Sequence, residues 1–120
     1  MRIFKNTWFN RFAEKEGITD IDLKEAVNQL EKGLADADLG GNVYKMRLAR
    51  PNEGKSGGFR VIVFFRSEEK TFFVYSFSKS DRDNIDQREL REYKALAKKY
   101  FALSCEMLQR ALETRKFIEV

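Results

Sequence analysis

A chain of 120 residues and 14.1 kDa suits one globular domain, 1–120, and its 42% hydrophobic residues, eleven Phe, seven Gly and one Pro exclude a disordered or collagen-like polymer. One Cys and no His leave no internal disulfide and no Cys/His zinc cluster, so no metal and no cofactor is expected, and any chemistry must come from Lys, Arg, Tyr, Asp or Glu. The net charge of +4 is segregated: Glu14 to Asp38 holds eight acids against three bases, whereas Tyr44 to Arg82 holds nine bases against four acids, which makes the middle third a surface for a polyanion.

Trp8, Phe9 and Phe12 recur at helical spacing, predicting a short helix from about Lys5 or Asn6 to a stop at Gly17. Thr19 or Asp20 then caps a second helix, whose buried stripe is Leu23, Ala26, Val27, Leu30 and Leu34; Gly33 weakens its end and Gly40-Gly41 opens a turn. There the period drops from 3.6 to 2. Val43 to Ala49 alternates Tyr44, Met46 and Leu48 against Lys45 and Arg47, while Phe59–Arg66 and Thr71–Ser78 are apolar on both faces, as strands covered on both sides must be. These three pair as an antiparallel meander. Asp86–Phe101 reads as a helix buried through Leu90, Tyr93, Ala97, Tyr100 and Phe101, and Ser104 caps another through Leu108, Ala111 and Leu112. Lys116–Val120 closes the chain as a strand on the sheet edge. The expected fold is α+β: two N-terminal helices, an antiparallel meander of three to five strands, and C-terminal helices packed on the sheet. The longest uncharged apolar run, Val61–Phe65, is far too short for a membrane span, and no apolar stretch after Lys5 resembles a signal peptide, so the expected location is cytoplasmic.

Two features carry possible chemistry. Gly54-Lys55-Ser56 lacks the earlier Gly of a phosphate loop, with Ala49 in its place, and precedes a strand instead of a helix, so nucleotide binding of that kind is excluded. The segment Arg50 to Gly58 is then a basic loop whose Lys55 can reach a backbone phosphate. Arg60 stands in a strand of Phe, Val and Ile, where a guanidinium needs water, a carboxylate such as Glu53 or a helix acid, or a ligand phosphate. Lys45 and Arg47, two residues apart on one strand face, can address a single phosphodiester, and with Arg60 and Lys79 they would form a cation cluster able to bind phosphate and supply a base without imidazole.

The segments Tyr44-Lys45-Met46-Arg47-Leu48, Gly54-Lys55-Ser56-Gly57-Gly58-Phe59-Arg60-Val61-Ile62 and Phe77-Ser78-Lys79-Ser80-Asp81-Arg82 resemble the sheet of the RelE/ParE toxin superfamily, most closely its HigB-like RelE branch. The resemblance implies a toxin of a type II toxin–antitoxin module: a metal-independent endoribonuclease that enters the ribosome and has the ribose 2′-hydroxyl attack the adjacent phosphate of mRNA, leaving a 2′,3′-cyclic phosphate. Its partners would be a cognate antitoxin, the ribosome and mRNA. Carried over residue by residue, the catalytic set is Lys45, Arg47, Arg60 and Lys79, with Arg50, Lys55, Arg82 and Tyr93 binding the RNA. Ser80 replaces the second member of a basic pair, and Asp86 stands where the helix tyrosine of the family would fall. Two other functions fit the same superfamily: a gyrase-inhibiting toxin like the ParE branch, and a catalytically inert RNA- or ribosome-binding module.

Overall fold

The computed structural model describes residues 1–50 and 58–120; the Lys55 region of the basic loop and Glu53 lie outside the described residues. The chain opens with a strand, β1 (Arg2–Asn6), followed by α1 (Thr7–Glu16), α2 (Asp20–Glu31), β2 (Ala37–Gly40), β3 (Val43–Leu48), β4 (Phe59–Arg66), β5 (Lys70–Ser78), α3 (Gln87–Phe101), α4 (Cys105–Glu113) and β6 (Phe117–Glu119). The α+β class and the β3-β4-β5 meander agree with the sequence reading. The sheet has six strands in the order β2-β3-β4-β5-β1-β6, antiparallel except where β1 runs parallel to β5. Neither β1 nor β2 follows from local periodicity.

Side chains terminate the helices as expected. Asn6 Oδ1 accepts from the Phe9 amide at 2.7 Å and starts α1, and its Nδ2 donates to the Val74 carbonyl at 3.0 Å, which ties the helix start to β5. Gly17 ends α1 in the left-handed region at φ 73°. Thr19 and Asp22 exchange side-chain and backbone bonds at the start of α2, and Asp86 and Glu89 do the same for α3. Asp86 is therefore a cap. Leu34 is a correction: α2 ends at Glu31, Gly33 turns left-handed, and Leu34 lies 61% exposed, outside the buried stripe it matches by spacing. Gly41 and Asn42, at φ 61° and 65°, form the two-residue turn between β2 and β3, a turn that requires two left-handed residues.

Helices cover both sheet faces, which explains the double-sided apolar β4. On one face α1 and α2 press Phe9, Ala13, Leu23, Val27 and Leu30 against Met46, Val61, Val63 and Phe73; on the other, α3 and α4 bring Ala97, Leu108 and Tyr100 onto Val43, Phe64 and Phe72. Phe64 and Phe72 are fully buried, each contributing about 1.5–3 kcal/mol over exposure. Among the described residues no helix is long and apolar enough to cross a membrane.

Candidate functional site

Register decides which of the predicted residues meet. Lys45 lies opposite Ile62, which lies opposite Tyr75; one row further along, Arg47 lies opposite Arg60, which lies opposite Phe77. Partners in register share a face, so Lys45, Arg47 and Arg60 belong to the face that α3 covers, at the end where β3 leaves the cover of β2. Two arginines directly opposite repel one another, and the fold handles each differently. The Arg47 guanidinium turns to the sheet edge, where its Nε lies 3.2 Å from Asp36 and its side chain borders a cavity of about 200 Å³ with Asp22 and Glu25 of α2. Arg60 stays under cover at 7% exposure, and its Nη1 is shut off from solvent with no hydrogen-bond partner among the described residues. A buried, unpaired guanidinium donor is costly, and a water, carboxylate or phosphate oxygen would satisfy it.

The other predicted cations differ in exposure and in partners. Lys45 is half-buried and Lys79 exposed, and neither forms an ion pair among the described residues. Lys79 lies in the turn after β5, where the Ser78 carbonyl accepts from the amides of Asp81 and Arg82 and the Ser78 hydroxyl bonds Asp81 at 2.8 Å and Ser80 at 2.9 Å. Arg82 comes back over the sheet, 5.6 Å from the Phe77 ring, and grips Glu89 of α3 with both ends of its fork. The Glu89 carboxylate first, and then the Tyr75 hydroxyl, hold the Arg82 guanidinium above its ordinary value; Arg82 in turn lowers the Glu89 carboxyl below its ordinary value. Arg82 is thus a neutralised cation that frames the site. Arg50 is not brought to it: its guanidinium covers the Phe59 ring at 4.7 Å, and Phe59 packs against Phe12 on the α1 face, opposite to Arg60.

Tyr93, half-buried on α3, stacks on Tyr75 with centroids 6.3 Å apart. Burial, with Tyr75 and Glu89 adding to it, pushes its hydroxyl up to about 12, so near neutrality it is a proton-bearing donor. Tyr75 and Trp8 were not singled out by the sequence reading as site residues. Trp8 fits the apolar spacing of a helix face, and only its 44% exposure beside Tyr75 sets it apart.

A family model described as the RelE toxin of the RelE/RelB toxin–antitoxin system matches residues 1–120. The chain belongs to the RelE toxin family. No curated protein matches it. This toxin is therefore the toxin component of a type II toxin–antitoxin module, and a cognate antitoxin is its partner.

Proposed function

We propose that this RelE-family toxin is a ribosome-dependent mRNA endonuclease that cleaves by attack of the ribose 2′-hydroxyl on the adjacent phosphate. The observation that carries the reading is the buried Arg60, whose Nη1 lacks a partner among the described residues, on the sheet face that also bears Lys45 and Arg47. In this reading Arg60 holds a non-bridging phosphate oxygen and stabilises the charge that builds on the phosphorane. Lys45 takes the proton of the 2′-hydroxyl as the new bond to phosphorus forms. The bond to the 5′-oxygen breaks, and Lys79 supplies the proton that this oxygen needs, leaving a 2′,3′-cyclic phosphate and a 5′-hydroxyl. Arg47 adds positive charge from the sheet edge, Tyr93 donates a hydrogen bond, and Lys55 guides the backbone, while Arg82, held by Glu89, only frames the site.

The test is to incubate the purified toxin with ribosomes programmed with a defined transcript and to map the new ends. Codon-phased cuts bearing a cyclic phosphate are expected, and a 2′-deoxy substitution at the scissile nucleotide should remove the cut. Intact transcript at a toxin concentration that saturates the ribosomes refutes the proposal, and toxicity retained after Lys45, Arg47 and Arg60 are all replaced by Ala would favour the gyrase-directed branch.

A further inference from the structure

Trp8 is the single Trp of the chain, and nearly half of its surface faces water at the first turn of α1, although the fold buries most of its large rings. The indole is held: Phe12 stacks behind it with centroids 5.4 Å apart and planes within 11°, and Tyr75 packs against it at 4.7 Å. From Tyr75 the run of rings continues to Phe77 at 6.0 Å, and Phe77 lies both beneath the Arg82 guanidinium and opposite Arg60 in register. An unbroken aromatic path therefore leads from the exposed indole to the buried arginine. Two strand spacings, about 10 Å, separate the β4 backbone from the element flanking β5, a span of the order of that from a phosphate to the base of an adjoining nucleotide.

The geometry points to Trp8 and Tyr75 as a shelf on which an unpaired RNA base stacks while Arg60 holds a nearby phosphate. This deepens the endonuclease reading by naming a base-binding subsite, and it rests on that reading only in taking single-stranded RNA as the ligand. A pre-stacked indole loses little rotamer freedom on binding, and the face of any base can lie on it. An apolar groove of about 710 Å³ borders the other side of Trp8 along Leu96, Tyr100 and Met107, so a protein segment is the competing occupant. The connection of the indole to the cations, which pair with the phosphate half of a nucleotide, favours RNA.

Because the chain has one Trp, its fluorescence reports this position alone. The experiment titrates the full-length toxin with a short single-stranded RNA protected from cleavage by 2′-O-methyl riboses, and in parallel with an abasic oligonucleotide of the same phosphate number, binding being followed independently by calorimetry. Base-bearing RNA should quench the indole by half or more, whereas the abasic strand should bind with little quenching. Trp8→Ala should weaken binding of the base-bearing strand about tenfold, as loss of one base–aromatic stack does, while Trp8→Phe, which keeps a ring on Phe12, stays within about threefold of the wild type. Equal quenching by both strands, bound RNA that leaves the fluorescence unchanged, no measurable binding of the base-bearing strand, or an indole that responds only to the antitoxin would each overturn the shelf. Quenching by bases without any cut on ribosomes would leave the shelf standing and remove the endonuclease reading; ribosomal cleavage with a base-independent signal would do the reverse.

Discussion

Replacing Arg60 with Met removes the proposed phosphate ligand and an unsatisfied buried donor in one step, so stability and cleavage should move in opposite directions. Arg60 is 7% exposed and its Nη1 has no partner among the described residues; leaving such a group unpaired costs about 1–3 kcal/mol. Met follows a similar path through the sheet without a polar atom. We expect Arg60→Met to stabilise the ligand-free protein by about 1–2 kcal/mol. An unfolding entropy of about 2.1 cal/mol/K per residue amounts to roughly 0.25 kcal/mol/K for 120 residues, so Tm should rise by about 4–8 °C when followed by circular dichroism. Cleavage on programmed ribosomes should fall about 10²–10³-fold, as it does when one preorganised charge-stabilising donor is lost. Arg60→Lys keeps the charge but not the planar fork, and should lose at least about tenfold in cleavage with the fold intact. A lower Tm for Arg60→Met together with near-normal cleavage would make Arg60 a structural arginine and refute the reasoning.

Asp36→Asn releases Arg47 from its 3.2 Å ion pair; exposed pairs are worth about 0.2–1 kcal/mol, so RNA binding at low salt should strengthen about 1.5- to 5-fold and the gain should shrink at high salt, with unchanged affinity counting against Arg47. Arg82 depresses the Glu89 carboxylate, so this pair stabilises the fold above the unfolded value near 4.3 and is lost as pH falls through the lower folded value. Glu89→Gln, which keeps the capping-box bond to Asp86, should therefore cost about 0.5 kcal/mol at pH 7 and close on the wild type in urea melts below pH 4; a pH-independent gap would contradict this. Tyr93→Phe should leave the shape of the pH–rate profile unchanged between pH 6 and 10, because the hydroxyl titrates at about 12, and a limb that vanishes within that range would show otherwise. A Cβ added at Gly58 would lie 1.9 Å from the Leu48 carbonyl oxygen, so Gly58→Ala should destabilise by about 2 kcal/mol or more in denaturant melts, by forcing β3 and β4 apart next to Arg60.

What could be read from the chain by itself were the features that neighbouring residues decide among themselves. The stripe Leu23, Ala26, Val27 and Leu30, the alternation of Lys45 and Arg47 against Met46 and Leu48, and the caps Thr19 and Ser104 each follow from backbone geometry over a few residues, and each is found in the fold. The shared face of Lys45 and Arg47 was likewise legible, whereas Arg60 joins it only through the β3–β4 register. Other features needed partners that are distant in sequence. Arg2–Asn6 is a strand because Lys70–Phe73 lies beside it. Which arginines are free was also a tertiary outcome: Asp36 meets Arg47, Glu89 meets Arg82, Phe59 receives Arg50, and nothing described meets Nη1 of Arg60. Periodicity assigns a side chain to a face, but the charges and rings it meets there come from segments brought together only when the sheet closes, so the neutralised and the unpaired cations look alike until the chain is folded.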